Sequence, residues 1–351
     1  LAGGLAGLAG VALAAALVVA CAAAGPRHRG PKTDHFDGKE FHNPVATRQP
    51  GLFDFLRWRW TRGPAPWTPA KALRAPSPIV QRVGRGELRV TFINHATVLL
   101  QMDGVNILTD PIWSERTSPV SWAGPRRAHP PGLPFDQLPP IDVVVVSHNH
   151  YDHCDLATLR RLNERHRPRF FVGLGNQALL EESGIFGAAE LDWWQSAAAA
   201  PGVTVTSVPS QHFSGRGLGD WDRTLWTGFV FRGPAGTVYF AGDTARGPHF
   251  AEIRRRMGYV RLAVLPIGAY LPRWYMARAH ISPAEAVEAH MALQAETSVA
   301  MHFGTFQLAD ETPEQAPREL RSALAAAKVS PSRFWVLAPG EARELTRGPP
   351  P

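Results

Sequence analysis

The chain has 351 residues, 44% of them hydrophobic, and a formal net charge of +7. That length buries a sizeable core as one large domain or two ordinary ones, and the apolar content excludes a disordered chain. With only Cys21 and Cys154, a disulfide-stapled scaffold is excluded as well.

Residues 1–20 are Leu, Ala, Gly and Val without a charge, and they end Leu17-Val18-Val19-Ala20-Cys21. An apolar run, small residues and then cysteine read as a signal peptide with a bacterial lipobox over residues 1–21, lipidated at Cys21. An uncleaved membrane helix is the alternative, because the run is just long enough to span. The expected location is the cell envelope, lipid-anchored. Ala22 is not the Asp that favours inner-membrane retention, which points to the outer membrane, facing the periplasm.

Residues 22–80 form a basic, Pro- and Trp-rich arm. The first part, 22–50, has no periodicity and reads as a tether. Between Arg27 and Arg74 there are ten Lys or Arg against four Asp or Glu. Basic and aromatic residues interleave in Leu52-Phe53-Asp54-Phe55-Leu56-Arg57-Trp58-Arg59-Trp60, which beside a lipid anchor predicts contact with anionic headgroups. The competing reading is a linker whose aromatics pack on the domain. No motif supports a nucleic-acid partner, and a homodimer stays open.

The regular domain spans 81–351. Alternation predicts strands at 87–93, 98–102 and 105–109, the last two joined by the turn pair Asp103-Gly104, and Asp110-Pro111 stops the third. Residues 111–140 are irregular, and a loop this long inside a compact domain is expected to be functional. The β-branched run 141–146 reads as a buried strand. Asp155 is placed to cap a helix carrying Leu156, Leu159 and Leu162 on one face. A strand at 169–172, a helix from about Asn176 to Gly184, a strand at 203–208 and a hairpin of 228–231 with 237–241 follow. Then come a strand at 262–267, a helix opened by the capping box Ser282-Pro283-Ala284-Glu285 and running to about Leu293, and a strand at 297–301. A helix near 314–328 and a strand at 334–337 close the chain. Strands outnumber helices and the two are mixed, an α+β pattern.

Ser147-His148-Asn149-His150-Tyr151-Asp152-His153 follows the strand at 141–146 directly. Neutral imidazole and carboxylate delivered from a rigid strand end suit zinc or a similar divalent metal. Ligand-type residues recur at later strand ends, as His212, Asp243 and His302. Together His148, His150, Asp152, His153, His212, Asp243 and His302 make a self-consistent dinuclear set. Two residues apart, His148 and His150 can point the same way, while Asp152 and His153 turn toward a second metal and Asp243 has two oxygens with which to bridge. Two ions about 3.5–4 Å apart hold a hydroxide at neutral pH and clamp the entering and leaving oxygens of a displacement.

The longer motifs are more specific. Asn94-His95-Ala96-Thr97-Val98, Leu108-Thr109-Asp110-Pro111-Ile112, residues 147–153, Glu190-Leu191-Asp192-Trp193-Trp194 and Pro209-Ser210-Gln211-His212 come first. Phe240-Ala241-Gly242-Asp243-Thr244, Pro266-Ile267-Gly268-Ala269-Tyr270 with Pro272-Arg273-Trp274, and His302-Phe303-Gly304-Thr305-Phe306 complete them. In combination, over about residues 86–340, the chain resembles the N-acylphosphatidylethanolamine-hydrolysing phospholipase D family of the metallo-β-lactamase superfamily. The glycine-rich stretch from Phe213 to Gly219 departs from the mammalian pattern at the pocket rim, and the N-terminal arm looks like that of bacterial lipoprotein relatives.

The resemblance implies a four-layer αββα sandwich with two Zn2+ ions. His148, His150 and His212 would bind one, Asp152, His153 and His302 the other, with Asp243 bridging. Hydrolysis through a metal-bridging hydroxide would release an N-acylethanolamine and leave phosphatidic acid. Asp152 and His280 are the residues expected to act in catalysis, His280 as proton donor to the leaving alkoxide. His95 and Asp110 are expected to orient ligands, and Tyr270, Arg273 and Gln211 to contact substrate. Two other readings stand beside it: a hydrolase of the same fold acting on another substrate, such as a sugar-phosphate lactone, and a lipid-binding lipoprotein with structural zinc.

Overall fold

A computed structural model describes residues 27–47, 51–64, 67–68, 73, 75–217 and 219–345; the expected lipobox and Cys21 lie outside them. Two seven-stranded mixed sheets face each other, with helices on both outer faces.

In chain order, the first sheet is built from β1 (Leu88–Asn94), β2 (Thr97–Met102), β3 (Val105–Thr109), β4 (Val143–Val146), β5 (Arg169–Gly173) and β6 (Ala189–Leu191). The second holds β7 (Ser196–Ala200), β8 (Val203–Val208), β9 (Gly228–Gly233), β10 (Gly236–Phe240), β11 (Leu262–Pro266), β12 (Thr297–Met301) and β13 (Phe334–Trp335). The last strand, β14 (Ala342–Leu345), returns to pair antiparallel with β1. In each sheet an antiparallel half joins a parallel half: β3 to β6 run parallel in the first, β10 to β13 in the second. Parallel strands share one direction, so the loops at their C-terminal ends emerge at one edge of the sandwich.

β4 shows why the run of valines was needed. Side chains alternate across a strand, so Val143 and Val145 enter the core between the sheets while Val144 and Val146 enter the core beneath the helices. That outer core is closed by Leu159 and Leu162 of α2 (Leu156–His166). The opposite face is covered by α4 (His249–Met257), α5 (Pro283–Leu293) and α6 (Gln315–Ala326). The Ser282 box is formed as expected, with Ser282 Oγ accepting from Glu285 N and Ser282 N donating to Glu285 Oε2. Asp103 and Gly104 both take positive φ, 53° and 80°, the twist a two-residue hairpin requires.

Other expectations change. Asp155 does precede α2, but its carboxylate accepts from Trp113 N, Ser114 N and Thr158 Oγ1 instead of capping the helix. It thereby pins the long 111–140 loop, which also buries Leu133, Phe135 and Leu138. The helix after Asn176 is short, α3 (Gln177–Glu181), and the strand expected at 334–337 stops at Trp335.

The arm is not a free tether over its described part. Phe36 and Phe41 are buried against Leu225 and Trp226, and His35 bonds Asp34 and Asp192 while stacking on Trp193 at 4.4 Å. Residues 52–61 form α1 (Leu52–Thr61). Its Trp58 is buried, stacked on Tyr275 at 4.9 Å with the Arg62 guanidinium on its ring. The other aromatics of α1 face outward: Phe53 is 78% and Trp60 91% exposed. Among the described residues, no helix is long and apolar enough to cross a membrane.

Candidate metal centre

The ligand-type residues meet at the edge where the parallel strands end. β4 delivers 147–153, β8 runs toward His212, β10 toward Asp243, and β12 delivers His302. The backbone is forced at several of these points: His95, Asp110 and His302 have φ of 45°, 33° and 61°, a region that L residues occupy at a cost of about 1–3 kcal/mol. Gly242, at φ 60°, lets the 243 loop pass the 147 loop; a Cβ there would lie 2.7 Å from Ser147 Cβ.

One group is made of nitrogen alone. His148 Nε2 lies 2.8 Å and His212 Nε2 3.3 Å from His150 Nδ1. The hydrogen bonds behind the rings fix their tautomers. His212 Nδ1 donates to Ala279 O, which leaves Nε2 bare. Ser147 Oγ donates to Asp110 Oδ2, so it accepts from His148 Nδ1, and His148 Nε2 is bare as well. Both bare lone pairs face His150 Nδ1, which either donates a proton toward them or joins them as a third nitrogen around a cation.

The second group is rich in carboxylate. His153 Nε2 lies 3.3 Å from Asp152 Oδ2 and 3.2 Å from Asp243 Oδ2. His302 Nε2 lies 3.4 Å and 3.1 Å from the same two oxygens. Asp110 Oδ2 accepts from His153 Nδ1 at 2.6 Å, which turns Nε2 toward the centre, and His95 Nε2 donates to Asp152 Oδ2 at 2.9 Å. Asp243 joins the two groups, its Oδ2 being 3.8 Å from His212 Nε2 and 3.7 Å from His280 Nδ1.

Electrostatics separates the groups too. Burial, aided by neighbouring rings, pushes His148 well below the usual imidazole range, and burial pushes His150 to about 3 and His212 to about 4. They stay neutral, as ligands must. Burial works the same way on His302, but Asp243 and Asp152 outweigh it and hold the ring up at about 9. His153 is raised for the same reason, and both carboxylates, despite burial, are held well below their ordinary range by His153 and other imidazoles of the centre.

His153 Nε2, His302 Nε2 and Asp243 Oδ1 are buried without a hydrogen-bond partner among the described residues. A stranded buried polar atom costs about 1–3 kcal/mol. Several stranded at one point, among imidazole and carboxylate donors, fit divalent cations. The ligand atoms of His148, His150 and His212 lie within 4.8 Å of one another, as do those of His95, Asp152, His153 and His302, and those of His212, Asp243 and His280.

Three of the expected substrate residues point elsewhere. Gln211 is fully buried, its amide spent on Val45 N and Val45 O of the arm. Tyr270 is 1% exposed in the apolar core with Ile267, Ile281 and Leu320. Arg273 pairs with Glu285 Oε2 at 2.7 Å and donates to His280 O at 2.9 Å, so its fork holds a backbone in place of a phosphate. Three residues were missed. Ser147 links Asp110 to His148, Thr305 Oγ1 accepts from His95 N, and Asn43 bonds His212. Ser147 stood in the motif and its hydroxyl was a signal; Asn43, in the arm, gave none.

Comparison with known proteins agrees with this arrangement. A family model described as a beta-lactamase superfamily domain matches residues 105–303. N-acyl-phosphatidylethanolamine-hydrolyzing phospholipase D 1 of Caenorhabditis elegans is 39% identical over 243 residues, 66% of this chain and 68% of that one. An uncharacterized protein of Mycobacterium tuberculosis is 40% identical over 278 residues, 78% of this chain and 73% of its own. Among solved structures, an isothiocyanate hydrolase from Delia radicum gut bacteria shares the fold at a TM-score of 0.59 and 23% identity, over 73% of this chain and 98% of that one. A metal-dependent hydrolase, the chain belongs to the metallo-β-lactamase superfamily and, within it, to the N-acylphosphatidylethanolamine-hydrolysing phospholipase D family.

Proposed function

We propose that the chain is a zinc-dependent phosphodiesterase of phospholipase D type. It hydrolyses N-acylphosphatidylethanolamine-like phospholipids to an N-acylethanolamine and phosphatidic acid. The observation that carries this reading is the pair of ligand groups either side of Asp243, within a chain 39% identical to a phospholipase of that name.

His148, His150 and His212 would hold one zinc ion and Asp152, His153 and His302 the other, with Asp243 between them. Bound there, the metal supplies Lewis-acid stabilisation of phosphoryl oxygens and a water acidic enough to react at neutral pH. The chain's own part is orientation and proton handling. Asp110 and His95 fix the ring of His153 and the carboxylate of Asp152. His280, half-buried with its Nδ1 3.7 Å from Asp243 Oδ2, would hydrogen-bond the leaving oxygen, and Arg273 donates to its backbone carbonyl.

The outward apolar residues Phe53, Leu56 and Trp60, with Arg57 and Arg59 on the same helix, suit an anionic bilayer surface. An anchor at Cys21 would keep the enzyme at its substrate on the outer membrane. Mass spectrometry of the products from a total bacterial lipid extract tests the reading. N-acylethanolamine and phosphatidic acid should form with the wild type and not with Asp243→Asn. A protein that holds two zinc ions and cleaves no phosphodiester sinks it.

A further inference from the structure

His212 lies four residues beyond Val208, the last residue of β8 paired to its neighbour, so the sheet no longer holds its backbone. His302 is different: its N–H donates to His95 O inside the sandwich. At His212 both backbone groups go to one side chain of the arm. His212 N donates to Asn43 Oδ1 at 2.9 Å, and Asn43 Nδ2 donates to His212 O at 2.7 Å. The Asn43 oxygen also accepts from Trp226 Nε1 at 3.0 Å. One residue away the pattern is returned: the Gln211 amide bonds Val45 N and Val45 O. The arm itself is fixed by Phe36 and Phe41 in their cluster with Leu225 and Trp226.

We propose that Asn43 is a positioning residue of the metal centre: by holding both backbone groups of His212, it sets that imidazole against His148 and His150. Retention of metal by the trio thus depends on a residue of the N-terminal arm, outside the matched 105–303 region. The proposal rests on the reading that these three rings hold a metal ion. Ala279 O orients the His212 ring about its own bonds, whereas Asn43 fixes where the ring starts from. An imidazole displaced by a fraction of an ångström loses ligand overlap, and groups that orient ligands are worth about 10–100-fold in metal affinity or activity.

The test uses the full chain, wild type, Asn43→Leu and Asn43→Asp, each loaded with zinc or cobalt(II). Metal retained against graded chelator is measured with no substrate present, beside the cobalt absorption spectrum and the thermal unfolding of the metal-free proteins. Asn43→Leu should release its first metal equivalent at about tenfold lower chelator, with a changed cobalt spectrum. Asn43→Asp keeps the acceptor facing His212 N and Trp226 Nε1 but turns a second oxygen against His212 O, where the amide had donated, so its release should shift in the same direction by about tenfold. Wild-type release and spectrum in both variants, with only the unfolding temperature lowered, overturn the proposal and leave Asn43 as a fastener of the arm. If Asn43→Leu does not fold, Asn43→Asp decides on the same two readouts. A wild type that retains metal but hydrolyses no phospholipid overturns the proposed substrate and leaves this inference standing; one that retains no metal overturns both.

Discussion

Two polar clusters lie side by side, and they treat their hydrogen bonds in opposite ways. Under the arm nearly everything is paired: Asn43 with His212 and Trp226, Gln211 with Val45, His35 with Asp34 and Asp192. In the centre, His153 Nε2, His302 Nε2 and Asp243 Oδ1 have no partner among the described residues. Gln211, His212 and Trp226 are as fully buried as His153 and Asp243, so exposure does not explain the contrast. A structural cluster must satisfy itself, since each stranded group costs about 1–3 kcal/mol. A ligand site can leave atoms stranded if its ligand supplies what is missing.

The sharpest way to break that contrast is at Asp243, which touches both ligand groups. Asp243→Asn keeps the shape and removes the charge. On the proposed function, turnover of N-acylphosphatidylethanolamine should fall by about 10²–10³-fold, the scale of losing a preorganised electrostatic partner of the transition state. An unchanged circular dichroism spectrum would show the fold retained; turnover within tenfold of wild type would remove Asp243 from the chemistry.

Stripping the metal comes next. A ligand at 100 times its Kd stabilises the folded state by about 2.7 kcal/mol, so chelation should lower the melting temperature by at least about 5 °C. Adding back zinc should restore it. An unmoved melting temperature would mean that the stranded atoms are satisfied without a cation. A milder probe is Asp110→Asn, which weakens the bonds to His153 Nδ1 and Ser147 together. Metal affinity should drop about 10–100-fold by competition with a chromophoric chelator, with both ligand groups affected because Ser147 passes the change on to His148.

How much of this was legible depended on range. Residues 148–153 announce themselves because the ligands are contiguous and follow an apolar strand. His212, Asp243 and His302 were legible only by recurrence at strand ends, and a shared strand direction explains it: β10, β11 and β12 are parallel, and β8, antiparallel to β9 as β9 is to β10, runs the same way. Direction was not legible. Gln211 stands next to a ligand yet turns its amide to the arm, and Arg273 finds Glu285 twelve residues away. β7 is four alanines after Ser196, with little strand preference of its own, and forms because β8 pairs with it. Asn43 and His212 are 169 residues apart, and no local pattern signals such a bond.

The smallest expected effect sharpens the contrast from the arm's side. Asp222 is buried like Asp243 but has no imidazole against it strong enough to hold its charge. Burial pushes its carboxyl up to about 7, and Glu40 adds to this against the bond from Ser214 N. The folded state therefore keeps a proton that the unfolded chain, with an ordinary value of 3.8, gives up. Stability from this group is full below about pH 4, falls as pH rises toward about 7 and is flat above, the reverse of an ion-paired carboxylate. Asp222 sits at φ 55°, which Asn tolerates, and its backbone carbonyl receives Phe41 N of the arm. Asp222→Asn keeps the acceptor and cannot ionise. Urea unfolding of the metal-loaded protein between pH 4.5 and 8 should then show a loss of stability smaller than wild type by about 1–3 kcal/mol. Parallel profiles for the two proteins would mean that Asp222 is ionised in the folded state and that burial beneath the arm does not hold its proton.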